Sequence, residues 1–190
     1  MGKDRIGQTL TDAIERRRGY AEFFDCPDKF LKEWGVAHRF IEELERNHGA
    51  IIESINQHPG GENHAPDILL VTKSGEVWGV EITELVSSDA IVESRRGNTV
   101  LAEWPGDELI SKFYVIIARK DEPEKVRGGP YDRYILLVHV DECMLPAGRI
   151  SSLIGALEFK TRLIDEIYVL LSYDPRLKRY PLLNLKPEKV

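Results

Sequence analysis

Cysteine is nearly absent from this chain of 190 residues. The two present, Cys26 and Cys143, stand too far apart to read as zinc-ligand spacing and make no disulfide framework. Long apolar runs are missing too. No stretch approaches the ~20 apolar residues that span a bilayer, so no membrane partner is expected. The opening MGKDRIGQTLTDAIERRRGY has no apolar signal core, which argues against secretion, and a reducing cytoplasm is the expected location. An excess of positive charge is lacking as well. Lys and Arg number 26 against 32 Asp and Glu, a net charge of −6. That excludes a generic nucleic-acid coat protein, which needs basic residues on phosphates. There is no repeat and no low-complexity tract. With 42% hydrophobic residues, the chain reads as one domain over 1–190, a helical extension over 1–35 preceding an α/β core over 36–185.

The most informative stretch is HAPDILLVTKSGEVWGVEITEL, residues 64–85. It reads as two strands, Asp67 to Thr72 and Val77 to Thr83, joined by Lys73-Ser74-Gly75. A three-residue loop ending in glycine fits a type I turn closed by a left-handed residue. That turn sets Val71 opposite Val77, Leu69 opposite Gly79 and Asp67 opposite Glu81. Opposed residues share a face, with Cβ atoms roughly 4.5–5.5 Å apart. Asp67, Glu81 and Thr83 then line one face, while Ile68, Leu70, Trp78, Val80 and Ile82 line the other, toward a core. A two-residue turn would slip the register and put the two acids on opposite faces.

Two carboxylates at ~4 Å repel by about 4 kcal/mol at an effective dielectric of 20. Such a pair is stable when it shares a proton, holds a cation or stays wet. A hard oxygen-seeking cation such as magnesium suits carboxylates from adjacent strands.

Pro66-Asp67 followed by Glu81-Ile82-Thr83 on the next strand resembles the PD-(D/E)xK nuclease superfamily, the restriction-endonuclease-like class. The resemblance covers the middle of the chain, and its order of helix, strand, hairpin, helix and strand is the expected one. It implies a mixed β-sheet flanked by helices, with extra helices at the N-terminus. It implies magnesium or manganese held by Asp67 and Glu81, with the Ile82 carbonyl as a further ligand. Nucleic acid, above all DNA, is the implied partner, and a homodimer is compatible with it. The family's lysine position holds Thr83, which is a departure from the pattern. Thr83 would then orient water, and a displaced lysine would stabilise developing charge, Lys112 ahead of Lys120. Members also place an acid from the helix before the hairpin near the metal, which points to Glu43 or Glu45.

The flanking segments are plainer. Thr9 to Arg18 reads as a polar helix, its Arg16-Arg17-Arg18 run first a solvated face and second a phosphate patch. Asp25-Cys26-Pro27 opens a helix ended by Gly35. Val36 to Asn47 forms the next, with Ala37, Phe40, Ile41 and Leu44 at helical spacing, and Gly49 closes it. Ala50 to Ile55 reads as a first strand, with helical continuation as the rival. His64 lies in a glycine-rich loop and reads as solvated before it reads as a phosphate contact. Arg95 and Arg96 read as surface loop. Asp107 is the candidate cap of a helix over Glu108 to Lys120. Arg133 to Val140 is a strand buried on both faces, with His139 a core residue. A helix over Ile150 to Leu157, strands over Ile164 to Ser172 and Tyr180 to Leu185, and a frayed tail from Lys186 complete the expectation.

Two functions follow: a metal-dependent nuclease, or a relative that kept the fold and lost cleavage, serving in binding or assembly. The third possibility is an unrelated α/β protein in which Asp67 caps a strand entry and Glu81 is solvated.

Overall fold

The computed structural model describes residues 29–58, 65–87, 104–124, 126, 128–140 and 145–190. The expectations for Arg16 to Arg18, Cys26, His64, Arg95, Arg96 and Cys143 lie outside them. Helix α1 (Lys29–His48) leads into β1 (Ile52–Gln57), β2 (Ile68–Thr72) and β3 (Val77–Leu85). Helix α2 (Gly106–Lys120) crosses to β4 (Arg133–Val140). Helix α3 (Ala147–Ile154), β5 (Lys160–Thr161), β6 (Glu166–Leu170), β7 (Leu182–Leu185) and β8 (Glu188–Lys189) follow.

Six strands form one mixed sheet in the order β1-β2-β3-β4-β6-β7. The pairs β1–β2, β2–β3 and β6–β7 are antiparallel. The pairs β3–β4 and β4–β6 are parallel. Parallel neighbours need a crossover, and α2 and the α3 segment supply them. The fold is therefore α/β, a helix-flanked mixed sheet consistent with the restriction-endonuclease-like class.

The hairpin forms as its turn chemistry requires. Val71 pairs with Val77 and Leu69 with Gly79. Thr72 N–H donates to the Glu76 carbonyl at 2.9 Å, and Gly75 takes φ +88°. Ile68, Leu70, Trp78 and Val80 pack against Val36, Ala37, Phe40 and Leu44 of α1. The opposite face is covered too. Leu85 of β3 joins Tyr134, Leu136 and Val138 beneath Leu109, Phe113 and Ile117 of α2. Glu81 and Thr83 share the parity of Leu85, so the acidic face is roofed by a helix rather than open.

Several boundaries differ from the expectation. Helix α1 runs through Gly35 without a break, because the stripe of Val36, Ala37, Phe40 and Leu44 outweighs the ~1 kcal/mol that an interior glycine costs. The suggested boundary at 35 is thus mid-helix. The helix ends where expected, at Gly49 with φ +76°. Helix α2 begins earlier, with Pro105 at the cap and Asp107 inside the first turn. Helix α3 lies three residues before its expected span. The tail does not fray at 188–190: Glu188 N–H donates to the Phe159 carbonyl at 2.8 Å and Val190 N–H to that of Thr161 at 3.0 Å.

Phe40 is fully buried, with its ring 5.1 Å from that of Tyr168. We predict that Phe40→Ala costs about 3–5 kcal/mol, measured by denaturant unfolding, because it leaves a cavity between α1 and the sheet.

Candidate functional site

Asp67 stands at the entry of β2, one residue before its first ladder pair. Continuing the register of Ile68 with Val80 sets it opposite Glu81 in the centre of β3. Gly79 explains how closely the chain packs there. A Cβ on Gly79 would stand 3.0 Å from Pro66 Cγ, 3.2 Å from Tyr134 Cδ2 and 3.3 Å from Tyr131 Cδ1. Glycine lets Pro66 and the two tyrosine rings close over the strand, which seats the neighbouring Asp67.

Each carboxylate has one oxygen engaged by the protein. Asp67 Oδ2 accepts the Ile82 N–H at 2.7 Å, while its Oδ1 lies 3.9 Å from Lys29 Nζ. Glu81 Oε1 accepts a short charged hydrogen bond from Lys120 Nζ. Its Oε2 is buried without a hydrogen-bond partner among the described residues. An orphaned buried carboxylate oxygen is costly, and it is the feature that an inserted cation would satisfy.

The electrostatics agree. Burial raises the Asp67 carboxyl above the usual carboxylate range, against the Ile82 N–H and the charges of Lys29 and Lys120. Burial also raises Glu81, and the Asp67 charge adds to that while Lys120 opposes it. Tyr134 is raised by burial and then by these same two acids.

A third carboxylate belongs to this group. Glu33 on α1 pairs with Lys29 at 3.1 Å, and burial followed by the Asp67 charge pushes it from 4.5 to about 7. Its signal in the sequence is its position on the apolar stripe of α1, four residues before Ala37 and seven before Phe40, where a solvated acid has no reason to lie.

Glu43, the helix acid expected to join the metal, does not reach this group. It lies ~15 Å further along the α1 axis than Glu33. There it is buried and accepts from Arg179 at 3.4 Å, with Arg46 at 3.5 Å. Glu45 is spent on the Ile52 N–H at 3.0 Å. Lys112 lies two turns of α2, or ~12 Å, before Lys120, the lysine that touches Glu81. Thr83 sits two residues beyond Glu81, paired in register with Val138. Ile82 enters the site through its N–H. His139 is buried in β4 and burial lowers it to about 3, so it is a neutral core residue.

Among the described residues no group of three or more His, Cys, Asp or Glu side chains is gathered closely enough to hold a metal ion. Two carboxylates still suit magnesium, which keeps several waters and takes its remaining oxygens from substrate phosphate. No described helix is long and apolar enough to cross a membrane. No family model matches this chain, and no curated protein or solved structure does either.

The raised Glu33 carboxyl has a consequence for stability. The folded state holds its proton more tightly than the unfolded chain, so the contribution is fully present below pH 4.5 and is lost as pH rises to about 7. We predict that unfolding free energy falls across this interval and that Glu33→Gln flattens the fall, as read by denaturant melts at several pH values.

Proposed function

We propose that the chain is a metal-dependent nuclease that hydrolyses phosphodiester bonds of nucleic acid, with DNA as the favoured substrate. The observation that supports it most is the buried carboxylate pair on adjacent strands, with Glu81 Oε2 lacking a hydrogen-bond partner among the described residues. In this reading Asp67 and Glu81 hold magnesium or manganese, and the Ile82 carbonyl completes the protein's share of ligands. The bound ion would lower the pKa of a water and neutralise the phosphate oxygens.

The chain's own residues do the rest. The Ile82 N–H fixes one Asp67 oxygen, leaving the other to face the cation. Lys120 holds Glu81 by one oxygen and carries its charge to where the pentacoordinate phosphate gathers negative charge. It would thereby do from α2 what the family's lysine does from the strand, and Thr83, two residues beyond Glu81, would orient water. Glu33 and Lys29 form the rim on the α1 side.

A second reading, a binding or assembly module without cleavage, is favoured by one observation: Thr83 occupies the lysine position of the motif. The two separate in an assay on single- and double-stranded DNA and on RNA. The nuclease reading expects cleavage with magnesium or manganese that is abolished by chelation, by Asp67→Asn and by Glu81→Gln. Lys120→Met should lower kcat by about 10²-fold or more, the scale of losing one preorganised charge-stabilising donor. Adding Thr83→Lys to Lys120→Met should restore part of it. Nucleic acid bound but never cut would favour the module. Neither binding nor cutting would end the nuclease reading and leave only an assembly role.

A further inference from the structure

Asp121 stands directly after Lys120, at the C-terminal cap of α2, and its side chain is buried. A carboxylate there is opposed by the helix macrodipole, whose negative end it faces. Three backbone donors offset that cost. Asp121 Oδ2 accepts the Arg162 N–H at 2.6 Å, and its Oδ1 accepts the Leu163 N–H at 2.8 Å and the Ile164 N–H at 3.0 Å. Consecutive N–H groups converging on one anion form a nest, and bonds to an ionised acceptor are about twice as strong as neutral ones.

The turn so captured is itself fixed to the sheet. Asp165 N–H donates to the Tyr134 carbonyl at 2.8 Å, and Asp165 Oδ2 accepts the Tyr134 N–H at 2.7 Å. The Thr161 hydroxyl donates to the Ile164 carbonyl at 2.7 Å, closing the turn from within. Tyr134, the second residue of β4, pairs with Gly79 of β3, two residues before Glu81. A continuous chain of short hydrogen bonds therefore runs from the end of α2 through the 161–165 turn to the strand next to Glu81. Lys120 spans the same gap by its side chain.

We infer that Asp121 is the positioning residue of the site: its nest fixes the end of α2 so that Lys120 Nζ stands on Glu81. The lysine arrives on a four-carbon stem from the end of α2, three residues beyond the buried Ile117. Without the anchor, the last turn of α2 would fray and the ammonium would be released to solvent. The inference takes the importance of Lys120 from the nuclease reading, but its geometry and its test do not depend on cleavage.

The test is a proton–nitrogen NMR spectrum of the lysine ammonium groups in the full chain labelled on lysine nitrogen. An ammonium held in a buried ion pair exchanges slowly and gives a signal, whereas a solvated one does not. The Lys120 signal is assigned by its loss in Lys120→Met, and Glu81→Gln should remove it as well. The expected result is that Asp121→Asn also removes it, while Leu44→Met, a core change on α1 in the separate cluster on the opposite face of the sheet, leaves it in place. Asp121→Glu, which keeps the charge but lengthens the reach, serves if the asparagine variant does not fold, and it should weaken or shift the signal. A Lys120 signal unchanged in the Asp121 variants would overturn the inference, whatever happens to cleavage.

Discussion

The structure turns on two carboxyl groups that it has brought together out of water. Asp67 and Glu81 face the same way from neighbouring strands, beneath a helix. Their repulsion and desolvation would unfold a site that offered nothing in return. The return is one backbone N–H for Asp67, one ammonium for Glu81 and a second lysine at a distance. These compensate without completing, since Glu81 Oε2 has no partner among the described residues. A protein selected for stability alone would have replaced such a pair with apolar side chains. Its presence, and its incompleteness, carry the functional reading.

The rest of the fold places the compensating groups. The antiparallel meander of β1, β2 and β3 sets the acids in register. The crossover through α2 delivers Lys120 above the sheet. Helix α1, packed on the opposite face through Phe40 and Leu44, brings Lys29 and Glu33 to the sheet end where Asp67 enters. Helices α1 and α2 thus contribute charge from their ends while their middles are committed to the core.

The hairpin was legible in the sequence because its register is a local property. Gly75 has a left-handed turn to close, and once the loop length is set every side chain is assigned a face. Strand β4 was equally plain, since RYILLVHV is apolar on both parities. Lys120 over Lys112 was not legible, because the choice depends on how far α2 overhangs the sheet, a tertiary quantity. Glu33 and Glu43 show the same limit. Both lie near the apolar stripe of α1, and only the packing angle of the helix decides which end meets Asp67 and which meets Arg179. Gly35 was misread as a stop for a related reason: burial of the surrounding stripe overrode a local propensity. At the C-terminus, the short β5–β8 pair joins segments too distant in sequence for a local pattern to reveal.

The central claim is that the carboxylate pair is a cation site, and calorimetric titration with manganese tests it most directly. The account predicts saturable binding to the wild-type chain, because two facing carboxylates supply the hard oxygen ligands that this ion takes. It predicts loss of that binding when Asp67→Asn and Glu81→Gln are combined. If manganese fails to bind the wild type even with nucleic acid present, or binds the double variant equally well, the pair is not a metal site.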